Sequence, residues 1–141
     1  MRKIYWFVGA LLVMGIAVGV LGSWTASAQT PLKSGTILQR TELIGAKDME
    51  AILVLRDVPP GKESGKHTQA GNEIVYVLEG SVTLEVQGKP AVTLKAGEAF
   101  QTVAGEVHNV KNASATAPVK ALAFYVAKKG TKLEDLSLPV K

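Results

Sequence analysis

The chain contains two histidines, His67 and His108, and both sit in glycine-punctuated segments. Gln69 follows His67 at a spacing of two, and Glu73 comes shortly after. In an extended strand, residues two apart point to the same side, so His67 and Gln69 share a face. A short turn over Ala70, Gly71 and Asn72 brings Glu73 back beside them, while His108 arrives from a distant strand. Two imidazoles and one carboxylate converging inside a β-barrel form a facial triad suited to Fe(II), and also to Mn(II), Ni(II), copper or Zn(II). Gln69 offers a fourth, neutral oxygen donor. Taken singly, each residue has a plainer reading: His67 at the surface after a lysine, His108 satisfied in a core, Glu73 a strand-start carboxylate in solvent. The joint spacing is what points to a metal.

The elements that must position these residues are β-strands almost throughout. Residues 51–58 (AILVLRDV) form an apolar run of strand length, closed by Pro59-Pro60-Gly61. Residues 73–79 (EIVYVLE) are rich in β-formers and end at Gly80. Residues 81–87 alternate, with Val82, Leu84 and Val86 on one face and Thr83, Glu85 and Gln87 on the other. Gly88-Lys89-Pro90 turns the chain into residues 91–94, and further strands are expected over 98–103, 107–111 and 119–126, with a loop over 113–118. A helical period is conceivable only near the C-terminus. Many short strands separated by glycine turns predict an all-β sandwich or barrel rather than an α/β fold. The stretch from Ile74 to Leu78 is apolar on both strand faces, so both sides are expected to be covered. One side faces the domain interior; the other packs on a second sheet, an N-terminal strand or a partner subunit. Tyr76 and Tyr125 read as packing residues, and Phe100 and Gln101 as candidates for a pocket wall. Glu63, Glu106 and Lys111 read as exposed charges.

The spacing of these residues resembles the cupin superfamily, and in particular its small, single-domain exported members. The first family motif, G-x5-H-x-H-x3,4-E-x6-G, is matched at Gly61, His67, Glu73 and Gly80, with Gln69 in place of the second histidine. The second, G-x5-P-x-G-x2-H-x3-N, is matched at Gly97, Gly105, His108 and Asn112, with Val103 in place of proline. The resemblance implies a small antiparallel β-barrel, or jelly roll, over residues 36–130, followed by a C-terminal tail at 131–141. It also implies one divalent transition-metal ion held by His67, Gln69, Glu73 and His108. Gln69 is the departure that matters, because a carboxamide oxygen is a weaker, uncharged donor than imidazole. Losing proline at Val103 costs some turn rigidity and no ligand.

The first 28 residues differ in kind from the rest. Arg2 and Lys3 precede an apolar stretch from Ile4 to Leu21, and Ala26-Ser27-Ala28 puts small residues where a signal peptidase needs them. This reads as a secretory signal peptide with a mature start at Gln29 and a flexible lead-in over 29–35. The domain is therefore expected in the periplasm or outside the cell. Left uncleaved, the same segment would anchor it in a membrane with the domain still outside the cytoplasm. Removing residues 1–28 takes away Arg2, Lys3 and no anion, so the formal charge falls from +4 to +2. The remaining lysines are scattered, which excludes a phosphate-tracking stripe and hence nucleic acid as a partner. The absence of cysteine excludes disulfides, thiolate nucleophiles and iron–sulfur clusters.

Two functions remain beside a third, structural reading, a small dimer whose barrel is merely a stable scaffold. One is a metal-dependent enzyme, which the resemblance favours as a dioxygenase-like oxidoreductase over a lyase or isomerase, acting on a small oxygenated organic molecule. In that reading Glu73 doubles as a catalytic proton acceptor. The alternative is a non-catalytic barrel that holds a small ligand or a metal. The expected assembly in either case is a homodimer.

Overall fold

The computed structural model of the protein describes residues 35–140. The expected signal peptide, its cleavage site and nearly all of the lead-in lie outside the described residues.

Ten strands follow in chain order. They are β1 (Thr36–Glu42), β2 (Met49–Val58), β3 (His67–Gln69), β4 (Asn72–Glu79), β5 (Ser81–Val86), β6 (Val92–Lys95), β7 (Ala99–Thr102), β8 (His108–Asn112), β9 (Val119–Lys128) and β10 (Ser137–Pro139). They form two five-stranded sheets, ordered β1-β2-β9-β4-β7 and β10-β3-β8-β5-β6, with antiparallel strand pairing throughout. The chain thus forms the all-β antiparallel barrel that its punctuation predicts.

Period-two burial explains how the two sheets share one core. On β2, Ile52, Val54 and Val58 turn inward; on β4, Val75 and Val77; on β5, Val82 and Leu84. On β9 the inward positions Val119, Ala121, Ala123, Tyr125 and Ala127 are all buried. Three of those five are alanines, and their small side chains leave space inside the barrel. The crossing from β4 to β5 uses a single residue. Gly80 sits there at φ +81°, and a β-carbon would come within 2.9 Å of the Pro118 carbonyl oxygen. Only glycine takes that conformation readily.

Tyr76 and the C-terminal segment differ from expectation. The outer face of β4 is not covered among the described residues: Ile74, Tyr76 and Leu78 are 47%, 44% and 38% exposed. Tyr76 is therefore no core packing residue, because strand alternation places it on the side opposite Val75 and Val77. The C-terminal segment, read as a tail, supplies β10, which pairs with β3 and closes the edge of the second sheet. Leu136 anchors it, fully buried in the shared core. The C-terminal helical period reduces to one 3-10 turn, Leu133–Asp135.

Candidate functional site

Three strands bring the four predicted residues together. His67 and Gln69 leave β3 on its inner side, Glu73 starts the inward set of β4, and His108 opens β8 directly opposite His67 in the register. All four are buried. β3 can be so short because the barrel, not local propensity, holds it: β8 and β10 flank it on either side.

Both imidazoles are fixed in the same way. The Nδ1 atoms of His67 and His108 lie 2.8 Å from the carbonyl oxygens of Gly65 and Glu106. A carbonyl only accepts, so each Nδ1 carries a proton and donates it, and in the neutral ring each Nε2 presents a bare lone pair to the barrel interior. That arrangement is the one that orients metal-binding histidines. Burial, above all, lowers the pKa of His67, and the neighbouring His108 adds to the effect; the Gly65 hydrogen bond opposes it. The two rings stand 4.3 Å apart, tilted by 56°. Glu73 accepts a hydrogen bond of 3.1 Å from the Thr102 hydroxyl, its partner in the β4–β7 register.

The Gln69 carboxamide stands at the centre of this group. Its Nε2 donates to Glu73 Oε2 at 2.9 Å and to His67 Nε2 at 3.1 Å, and lies 3.5 Å from His108 Nε2. Its Oε1 is buried with no hydrogen-bond partner. The amide hydrogens thus occupy the place toward which two lone pairs and a carboxylate are aimed. Glu73 Oε2 and His108 Nε2 are 3.9 Å apart. Neighbouring ligands on an ion with bonds of about 2.1 Å stand about 3.0–3.4 Å apart. Accordingly, no three of His, Cys, Asp and Glu among the described residues stand at metal-holding separations. The donor set nonetheless fits a divalent cation in kind: two neutral imidazoles, one carboxylate and a carboxamide oxygen that lacks a partner. Turned inward, that oxygen would face two lone pairs and a carboxylate, an arrangement only a cation makes favourable.

Beyond the four, the structure adds Arg56, which the sequence reading did not single out as part of a site. Arg56 sits on the inward register of β2 and lines a cavity of about 70 Å3 together with His67, Gln69, Glu73 and Tyr125. Its Nη2 donates to the Tyr125 hydroxyl at 2.9 Å, with the guanidinium carbon 5.7 Å from the centre of that ring. Tyr125 is packed as expected, and it is also the polar link across the barrel, since Glu73 is its partner in the β4–β9 register. Burial pushes the Tyr125 hydroxyl well above its ordinary range and the Glu73 charge adds to this, so it stays protonated. A basic residue inside the run AILVLRDV was the available signal, but with apolar residues and one charge on each face the run does not say which way Arg56 points. Phe100 lines the cavity as expected, whereas Gln101 is exposed and Thr102 takes the inward place beside Phe100. Glu63 and Lys111 pair with each other and Lys111 with Glu85, and Glu106 pairs with Lys89. Asn112, the last residue of the second motif, donates to the carbonyls of Val58, Pro59 and Ala117 and pins two loops.

A family model described as a cupin domain matches residues 54–125. No curated protein matches the chain. Among solved structures, a double-stranded β-helix domain protein of Klebsiella pneumoniae is similar at a TM-score of 0.54 and 20% identity, covering 75% of this chain and 84% of its own. A cupin-like protein of Thermotoga maritima is similar at 0.51 and 21%, covering 69% and 75%. A cupin 2 conserved barrel domain protein of Salinispora arenicola is similar at 0.50 and 22%, covering 67% and 75%. At these identities the likeness is one of fold.

Proposed function

This chain belongs to the cupin domain family, and from that premise we propose that it is an exported barrel binding one divalent transition-metal ion. His67, Glu73 and His108 would hold the ion, with Gln69 as a fourth donor through Oε1. The observation that supports this reading best is the convergence of two imidazole lone pairs on one carboxylate, each ring locked by its own backbone carbonyl. Such an ion would be iron, manganese, nickel, copper or zinc, and it would supply Lewis acidity and a template for a small oxygenated molecule.

The favoured activity is dioxygenase-like oxidation of that molecule. The chain's own contribution is to bind, to orient and to move a proton. Glu73, buried and steadied by Thr102, accepts a proton from the bound molecule. Apolar side chains such as Val75, Val82 and Phe100 exclude water from the remaining wall. The second reading is a barrel that holds a ligand without turnover. It is favoured by one feature, the Gln69 amide hydrogens, which satisfy the inward acceptors with no ion at all. The assembly we propose is a homodimer in the periplasm or medium.

Elemental mass spectrometry on the mature protein, recovered untagged from its exported compartment, tests the metal. We expect near-stoichiometric transition metal that falls at least tenfold in His108→Ala. Little metal in both, even after reconstitution, leaves the ligand-binding reading in its place.

A further inference from the structure

Two amide hydrogens face three acceptors at the centre of the barrel. Gln69 Nε2 gives one to Glu73 Oε2 at 2.9 Å and one to His67 Nε2 at 3.1 Å, with His108 Nε2 at the limit of reach at 3.5 Å. At the other end of the same carboxamide, Oε1 is buried and has no hydrogen-bond partner among the described residues. The acceptors dictate this orientation, since an oxygen turned inward with nothing between would face two lone pairs and a carboxylate. The orientation still leaves one oxygen unpaired and three acceptors sharing two hydrogens, which costs free energy in a buried site. Gln69 is only 3% exposed, and its strand is held by pairing with Ser137 of β10 and by a bridge to Ala104. What remains to the side chain is rotation about its last bond, where a carboxamide torsion is broad and roughly two-fold.

We propose that the Gln69 carboxamide is a built-in switch that governs metal occupancy. With its hydrogens inward it stands in for the cation, tying His67 and Glu73 together in the metal-free protein. With its oxygen inward it becomes the fourth donor, and His67 and Glu73 exchange an amide hydrogen for the ion. Gln69 is thereby both ligand and competitor. What Oε1 contributes to holding the ion is offset by the hydrogen bonds that Nε2 gives up. Occupancy then follows the supply of the ion, and its loss leaves the barrel closed on its own hydrogen bonds. This deepens the proposed function by naming how its site is regulated, and it rests on that reading for the ion itself.

The test uses zinc(II) and the mature full-length protein, its glutamines carrying carbon-13 at Cδ. Infrared difference spectra between metal-free and zinc-loaded protein report the Gln69 carbonyl, which Gln69→Leu identifies by its absence. Without zinc its stretch is expected at the high frequency of an unbonded amide, and it is expected to fall as zinc is added. Competitive chelator titration supplies the energetic half. Gln69→Leu is expected to hold zinc within about threefold of wild type, because ligand and competitor leave together. His108→Ala, which removes a plain ligand, is expected to lose at least about tenfold. A carbonyl stretch that stays put while zinc binds stoichiometrically would overturn the switch and leave the metal reading standing. So would a loss of about tenfold or more in Gln69→Leu. Wild-type protein that takes up no zinc would overturn both, and zinc content measured on the same samples tells the two failures apart. The infrared change is read on wild-type protein, so it decides the matter even where Gln69→Leu does not fold.

Discussion

Gln69 is the residue on which the chemistry turns. As a carboxamide it carries both a donor and an acceptor, and the barrel uses the donor end to tie His67 and Glu73 together while the acceptor end has no partner. A histidine here would add an imidazole to the donor set but could not give two N–H bonds at once to Glu73 and His67. Gln69→His is therefore expected to shift two quantities in opposite directions. Competitive chelator titration should give metal affinity at least tenfold higher than wild type. Urea denaturation of the metal-free variant should give stability lower by about 1–3 kcal/mol, the cost of leaving buried acceptors short of a donor. Affinity that stays level would mean that position 69 does not face the ion. The four candidate residues could be picked out in the sequence because donor type and spacing are local facts. The orientation of the amide was not, since it depends on acceptors delivered by β4 and β8.

The elements hold the site through close backbone contact as much as through side-chain packing. Gly71 sits between β3 and β4, and a β-carbon there would lie 2.0 Å from the Val126 carbonyl oxygen on β9. Gly71→Ala must push the start of β4 off β9, and with it Glu73. We expect a loss of about 2 kcal/mol or more in thermal or urea unfolding, together with weaker metal retention. Wild-type stability in that variant would mean that the turn yields without moving Glu73. The strands from β2 and from β4 to β9 were legible, because alternation and glycine turns are written along the chain. The shortest were not. β3 and β10 each have three residues, too few for a period to show, and they exist because each pairs with a neighbour far away in sequence.

At the scale of the whole molecule, the outer face of the first sheet carries the strongest statement. Leu53, Phe124 and Ile74 lie side by side across β2, β9 and β4, and Tyr76 and Leu78 continue the stripe. Ile74, Tyr76, Leu78 and Phe124 are exposed among the described residues. A contiguous apolar stripe on a strand inside the sheet calls for a cover, and in the proposed homodimer a second copy of the chain would supply one by presenting the same stripe. Light scattering of the mature protein is expected to give twice the monomer mass, and Ile74→Lys with Tyr76→Glu to give the monomer with its circular dichroism intact. A wild-type protein that stays monomeric at high concentration would remove the dimer from this account.

What the sequence determined by itself is whatever depends on near neighbours. The period of two, the glycine turns, the two histidines and the carboxylate at their spacings are enough to imply an all-β barrel and a candidate donor set. What the tertiary structure decided is which of those residues meet and which way ambiguous strands face. A run with apolar residues on both faces, such as residues 51–58 or 74–78, carries no record of its inner side. Only pairing with distant strands turns Arg56 toward Tyr125 and leaves Tyr76 outside. Those pairings join residues about fifty or more positions apart, as Glu73 with Tyr125 and Arg56 with Ala121, so no local pattern encodes them.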